Sequence, residues 1–371
     1  MSHPNKAAPK HILLIFQPAW LDFLLKEWLL LISAVGLFLT SIHIKKFPTI
    51  SLSEWEVLLI LYALFIAVKG LEKSGLFTWI SWRIEQGKYL PLKLILTTFF
   101  LSMIVTNDVA LIIIVPITLA LRIPRKDIVV IMEALAANAG SALTPIGNPQ
   151  NLFIYWYYHA SPAGFMIAIA PLTLSFLLIL AYWAANLPQN SNKNPLKNSA
   201  PPDHSAISHG LLLLIMILVV LHLVPVWSSV LVLIYGIIFS RSSFLIDYPL
   251  LLTFFCFFGL ADNLQGILAD RIGNLKHVFL YSAFFSQIMS NVPASILFAK
   301  FTTQWKALLW GANVGGFGSL VGSLANIIAY KLYIAKKSHK EIMKFTAKFL
   351  LIGYGAFVIG IGIYSFLVGK I

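Results

Sequence analysis

Asn138-Ala139-Gly140-Ser141-Ala142-Leu143-Thr144-Pro145-Ile146-Gly147-Asn148-Pro149-Gln150-Asn151 decides the reading of this chain. The stretch lies between apolar runs. Its two prolines, two glycines and three asparagines cannot make an ordinary lipid-facing helical turn, because proline removes a donor and glycine loosens the backbone. At bilayer depth such backbone is tolerated only where protein buries it or where it lines a wet cavity. The pattern recurs from Asn313 to Asn326 at a constant shift of 175 positions: Asn138 matches Asn313, Gly140 matches Gly315, Gly147 matches Gly322 and Asn151 matches Asn326. Thr144 and Ser319 pair as hydroxyls. One such break could equally be a kink satisfied by neighbouring helices. Two matching breaks point to a binding site between repeated halves.

The surroundings fit a membrane protein. The 371 residues are 59% hydrophobic and 11% charged, with mean hydropathy +0.84, against about 25% charged in soluble domains. The formal net charge of +13 would raise nucleic acid as a partner in a soluble protein. Here the basic residues cluster between apolar runs, as at Arg122-Arg125-Lys126 and Lys331-Lys336-Lys337-Lys340, so positive-inside bias accounts for them and no nucleic-acid partner is expected. With Cys256 as its single cysteine the chain holds no internal disulfide and no cysteine metal cluster. Pro18, Asp22, Lys26 and Glu27 interrupt the first apolar run, so no cleaved signal peptide is expected.

Taken in order, residues 1–27 read as a polar tail and a half-span or interfacial helix around His11 to Leu25. Spans follow at Trp28 to Ile44 and Trp55 to Val68, then an amphipathic interfacial piece at Gly70 to Gln86. Leu90 to Leu121 is too long for one span at about 1.5 Å per residue; it reads as a re-entrant hairpin with Thr106-Asn107-Asp108 at its tip. Asp127 to Tyr158 is the broken span and Phe165 to Ala185 another span. The polar stretch 187–209 reads as a cytoplasmic linker. Beyond it lie short spans at Gly210 to Leu223 and Trp227 to Ser240, then Tyr248 to Leu260 with Asp262 and Asn263 at an interfacial end. Lys276 to Phe301 forms a second hairpin around Ser290-Asn291, Trp305 to Tyr333 the second broken span, and Met343 to Val368 the last span. The hairpins also correspond: Phe100, Ser102, Ile104, Thr106, Asn107 and Ala110 match Phe284, Ser286, Ile288, Ser290, Asn291 and Ala294 at a shift of 184. The halves are thus 28–186 and 210–371. Placing the linker in the cytoplasm puts most basic residues there and sends the two hairpins in from opposite faces, which makes the repeats inverted.

A broken helix leaves about four free N–H groups on one stump and four free C=O groups on the other. The first suit an anion and the second Na⁺. Either Thr144-Pro145 or Asn148-Pro149 reads as the N-cap and first residue of the second half-helix. Asn107 and Asn291 bring donors and acceptors, and Thr106 and Ser290 add hydroxyls; they also suit a tight turn. Asp108 stands out, because a carboxylate at bilayer depth is costly and functional by default. Its repeat mate is Val292, so two ion sites could not be equivalent. Asp108 is expected to hold a cation or exchange a proton, with a hydrated rim residue as the alternative. Glu133 is a second coupling candidate, or one half of a salt bridge. The candidate site is Thr106, Asn107, Asp108, Asn138, Gly140, Thr144, Pro145, Gly147 and Asn148 with Ser290, Asn291, Asn313, Gly315, Ser319, Gly322 and Ser323. No phosphate-binding loop is present, so an ion gradient must drive any active transport. Gly316-Phe317-Gly318-Ser319 looks like a serine motif, but its match to 141–144 favours a helix break over an enzyme.

The triplet Thr106-Asn107-Asp108, the stretch 138–151, Ser290-Asn291-Val292-Pro293 and the stretch 313–326 together resemble the ion transporter superfamily, which holds citrate-transporter-like proteins, arsenical pump membrane proteins and divalent anion:sodium symporters. The resemblance covers roughly residues 50–370 and is nearest to the compact YbiR-like inner-membrane branch. It implies an all-α polytopic protein of the bacterial cytoplasmic (inner) membrane with two inverted repeats. It implies a secondary transporter that moves a small carboxylate or inorganic oxyanion with Na⁺ or H⁺, or a cation/proton antiporter of the same fold. The symporters of the family carry Ser-Asn-Thr at each hairpin tip, where this chain has Thr-Asn-Asp and Ser-Asn-Val. No cofactor is expected beyond the coupling ion, and Na⁺ is the one metal anticipated. Expected partners are a small anionic substrate, membrane lipid and a second copy of the chain in a homodimer.

Overall fold

A computed structural model describes residues 27–84, 89–121, 123–188, 201–268, 277–335 and 337–368. The expected N-terminal half-span and the centre of the linker lie outside the described residues, as do Lys88, Arg122, Arg271, Lys276 and Lys336 of the charge-bias reading. The described residues form sixteen α-helices and no strand.

The first half holds α1 (Trp28–Ile44), α2 (Leu52–Lys73), α3 (Leu76–Ile84), α4 (Leu90–Val105), α5 (Asn107–Ala120), α6 (Lys126–Ser141), α7 (Pro149–Tyr157) and α8 (Pro162–Ala185). The second holds α9 (Ser205–Val220), α10 (Ser229–Phe239), α11 (Tyr248–Leu268), α12 (Val278–Met289), α13 (Asn291–Ala299), α14 (Trp305–Gly315), α15 (Leu324–Ile334) and α16 (His339–Leu367). Local chemistry sets several starts. Ser51 and Glu54 form a capping box on α2, and Ser338 and Glu341 form one on α16. Ser161 caps α8 through the Gly164 amide, with Pro162 in the first turn.

Three helices, Pro162–Ala185, Tyr248–Leu268 and His339–Leu367, are long and apolar enough to cross a membrane. Phe38, Ile167, Leu178, Leu351 and Val358 point outward from the bundle. A soluble protein would hide such residues, whereas a lipid-facing surface presents them. The fold is that of an all-α polytopic membrane protein.

Several boundaries differ from the sequence reading. Gly70 to Lys73 continue α2 rather than opening the interfacial piece, and only Leu76–Ile84 forms the short helix after it. Helix α11 does not stop before Ala261: it runs on to Leu268, and Asn263 is buried, not interfacial. The Asn263 amide donates to the hydroxyls of Thr40 and Ser41, each at 3.0 Å, so α1 supplies the partners that allow a polar residue inside the bundle.

The halves interlock. Helix α4 packs on α6 as α12 packs on α14, while α15 lies against α5 of the first hairpin and α7 against α13 of the second. Each hairpin therefore rests on its own half's first half-helix and on the other half's second half-helix.

Candidate functional site

Each hairpin turns on one residue. Thr106 (φ +80°, ψ 154°) separates α4 from α5, and its mate Ser290 (φ +74°, ψ 155°) separates α12 from α13. Positive φ is strained for a residue with a Cβ and persists only where surroundings over-determine it. Here the following residue supplies the constraint. The Asn107 amide N–H donates to the Gly147 carbonyl at 3.0 Å, and the Asn291 amide N–H donates to the Gly322 carbonyl at 3.0 Å. Each hairpin tip is thus bonded to the helix break of its own half, at repeat-matched positions. Asn107 and Asp108 are the first residues of α5 rather than a loop at the tip.

A second pair of bonds repeats the pattern. The Thr144 hydroxyl donates to the Met103 carbonyl at 2.7 Å, and the Ser319 hydroxyl to the Gln287 carbonyl at 2.9 Å. Thr144 is therefore a tie to the hairpin and not a helix cap. The second half-helix begins instead at Asn148-Pro149: the Asn148 side chain accepts from the Asn151 amide at 2.9 Å, with Pro149 in the first turn. Pro145 is buried in the connector between the half-helices. Ser323 is the buried N-cap of α15 and makes no side-chain cap bond.

The two breaks then cross through asparagines. The Asn138 amide donates to the Asn326 side-chain oxygen at 2.9 Å, and the Asn313 amide to the Asn151 oxygen at 2.8 Å. Asn151 returns its own amide to the carbonyls of Ser141, Ala142 and Thr144, and Asn326 does the same for Gly316 and Ser319. Carbonyls freed by the break are thereby satisfied, each of which would otherwise cost about 1–3 kcal/mol. Asn107 donates to Asn138 at 3.2 Å, and Asn148 to Asn313 at 3.3 Å. A Cβ placed on Gly316 would sit 3.1 Å from the Asn291 amide and 3.4 Å from the Asn138 oxygen. Both hairpin tips and both breaks therefore meet in one polar centre.

Gly140 and Gly315 let the helices come this close. A Cβ on Gly140 would lie 2.1 Å from the Phe99 carbonyl, and one on Gly315 would lie 2.5 Å from the Ser286 Cβ. Gly147 and Gly322 supply the carbonyls that receive the tips.

The candidate carboxylates lie apart from the crossing. The Asp108 Oδ1 is buried without a donor. Asp108 lines a cavity of about 190 Å³ with Thr106, Lys69, Glu72 and Asp247. Glu133 is fully buried; one oxygen takes the Thr118 hydroxyl and the other has no partner. No ion pair joins Glu133 to a Lys or Arg among the described residues, so the salt-bridge alternative is not what the structure holds. Among the described residues no group of three His, Cys, Asp or Glu could hold a metal ion.

Sequence reasoning left three members of the centre out of the site. Asn151 and Asn326 were visible as a matched pair, and their equal spacing from Asn138 and Asn313 was the usable signal. Gln287 gave none, because its mate is Met103. Its side chain nonetheless holds the Gly315 carbonyl at 2.7 Å and the Ser319 amide at 2.7 Å.

The model of the citrate transporter family matches residues 11–310. The inner membrane protein YbiR of Escherichia coli is 34% identical over 329 residues, covering 82% of this chain and 86% of that protein. An uncharacterised transporter of Methanocaldococcus jannaschii is 30% identical over 340 residues, 87% of this chain and 92% of that one. The silicon efflux transporter LSI3 of Oryza sativa is 29% identical over 144 residues, 35% of this chain and 30% of that one.

Proposed function

Because this chain belongs to the citrate transporter family, a family of transporters and not enzymes, we propose that it is a secondary active transporter. On this reading it moves a small carboxylate or inorganic oxyanion across the bacterial inner membrane, coupled to Na⁺ or H⁺. The observation that carries it is the doubled tip-to-break bond, Asn107 to Gly147 and Asn291 to Gly322. A repeated polar centre built from helix ends is what alternating access needs: one site and two gates related by the repeat. We read the repeats as inverted, because the basic-residue bias favours a first hairpin entering from the linker side and a second entering from the other.

The start of each hairpin's second arm turns its positive helix end toward the centre, with its first N–H bonded to the break of its own half. The side chains that cross there are amides and hydroxyls. Attraction for an anion then comes from helix ends rather than from a fixed guanidinium or ammonium, which favours a singly charged or weakly acidic species over a multiply charged one. Of the relatives' names, silicon for the rice protein falls within that range, whereas citrate for the family, a multiply charged anion, falls outside it. The unpartnered Asp108 oxygen favours one second reading, a cation/proton antiporter in which Asp108 is the exchanging group.

Uptake of radiolabelled carboxylates and oxyanions into proteoliposomes under imposed Na⁺ or H⁺ gradients tests the proposal. Gradient-driven accumulation of one of them is expected. Na⁺/H⁺ exchange without any anion movement would replace it with the antiporter reading.

A further inference from the structure

On the lipid-facing side of the bundle, α6, α8 and α16 leave a groove of about 220 Å³ where they meet. Leu135 of α6 forms its floor, Phe176 and Trp183 of α8 one wall, and Ile352, Gly355 and Ile359 of α16 the other. The Trp183 indole N–H is the one polar side-chain group in the lining. Gly355 makes the notch: it is exposed, and a Cβ added there would meet nothing within 4 Å. The neighbouring Leu178, Leu351 and Val358 point outward from the bundle, so the groove opens toward lipid. An apolar cavity of about 150 Å³ stays dry and takes up hydrocarbon rather than water.

The groove has a charged end. Trp183 lies in the last turn of α8, which leads into the linker. Lys348, one turn before Ile352 on the same face of α16, pairs with Asp127 at the start of α6. Around that pair stand Arg125 and Lys126 from α6 and its cap, and Lys337, Lys340 and Lys344 from the approach and first turns of α16. Two carboxylates, Asp127 and Glu341, oppose these six cations. From Lys348 to Ile359 the helix rises roughly 16 Å. That is about the depth of one leaflet, half of a hydrocarbon core roughly 30 Å thick.

We propose that the groove binds one anionic phospholipid, with its phosphate at Lys344 and Lys348 and one acyl chain laid over Gly355 as far as Ile359. The apolar lining calls for a hydrocarbon chain. The excess of cations at one end calls for a negative headgroup, since a lysine or arginine at the membrane surface favours anionic lipid roughly fivefold. Trp183 places an amphipathic ring at headgroup level, where such rings belong. Leu135 lies about one turn before Asn138 on α6, so the bound chain packs on the half-helix that carries the polar centre. The site does not depend on what the protein transports.

Lipid binding can be measured without transport. Purified full-length protein in detergent is titrated with phosphatidylglycerol or with phosphatidylcholine of the same acyl chains. The readouts are the rise in unfolding temperature on lipid addition and the lipid retained in native mass spectrometry. Phosphatidylglycerol should stabilise saturably, with one molecule retained per chain, and phosphatidylcholine should not. Gly355→Leu fills the notch from an open position and should raise the half-saturating phosphatidylglycerol concentration about fivefold or more, because the chain loses its contacts. Gly362→Leu, equally open on the same helix but outside the groove, should match wild type. Lys344→Gln/Lys348→Gln should raise that concentration about thirtyfold, from roughly fivefold per lysine. Equal stabilisation by the two lipids overturns the proposal, and so does wild-type phosphatidylglycerol affinity in Gly355→Leu. Conversion of a dimer to a monomer by Gly355→Leu, with lipid binding unchanged, would assign the groove to a second copy of the chain instead.

Discussion

Gly140→Ala is the sharpest structural perturbation of the polar centre. In an isolated helix this change would stabilise by about 1 kcal/mol, since glycine is the costlier residue in a helix interior. Here the added methyl would stand 2.1 Å from the Phe99 carbonyl oxygen and 2.6 Å from the Ser102 hydroxyl, where ordinary contact begins near 3.4 Å. The carbonyl belongs to the backbone of α4 and cannot rotate away, so α6 must withdraw from α4 by roughly 1 Å. Overpacking of this kind costs about 1–3 kcal/mol or more. The displaced residues carry Asn138, so the same shift disturbs the bonds to Asn107 and Asn326. Gly362→Ala is the control: it lies exposed in α16 with nothing within 4 Å of its added methyl. Thermal unfolding in one detergent should show the Gly140→Ala midpoint a few degrees below wild type, with Gly362→Ala equal or higher. If Gly140→Ala matches Gly362→Ala in stability and transport, the close approach of α4 and α6 is not what builds the centre.

Other perturbations separate coupling, stability and topology. Asp108→Asn keeps shape and an acceptor while removing charge; transport should stop or become independent of the driving gradient, and a wild-type rate, pH profile and ion dependence would leave Asp108 as a rim residue. Lys300 is 7% exposed and pairs with Glu54, itself 1% exposed, at 3.0 Å. Lys300→Met strands that carboxylate and should cost about 3–5 kcal/mol of stability, with part recovered in Lys300→Met/Glu54→Gln; equal stability of all three proteins would contradict it. Because Lys300 is buried, the topology is better read from exposed positions. In a Cys256→Ser background, cysteines replacing Arg125 and Lys306 should label from opposite faces, and same-side labelling rejects inverted repeats.

Much of this centre was legible in the sequence because it is written twice. The 175-residue match at Asn138/Asn313 and Gly140/Gly315 and the 184-residue match at Asn107/Asn291 each became a matched bond or a matched contact in three dimensions. What stayed hidden had no repeat partner or no local signature. The choice of Asn148 over Thr144 as the cap was undecidable locally, since both precede a proline; the Met103 carbonyl, 41 positions away in sequence, takes the Thr144 hydroxyl. The end of α11 was misplaced because Asp262 and Asn263 look like a polar terminus until Thr40 and Ser41 arrive from α1. The acidic cavity joins residues 69, 72, 108 and 247, which no periodicity connects.

The most direct test of the account is gradient-driven uptake in proteoliposomes with Asn107→Ala and with Asn291→Ala. If the two tips complete one shared site, each variant alone should abolish uptake while remaining inserted and monodisperse, because each half supplies a tip the other cannot replace. Normal uptake by either variant would reduce that tip to a tight turn and contradict a site built by both halves.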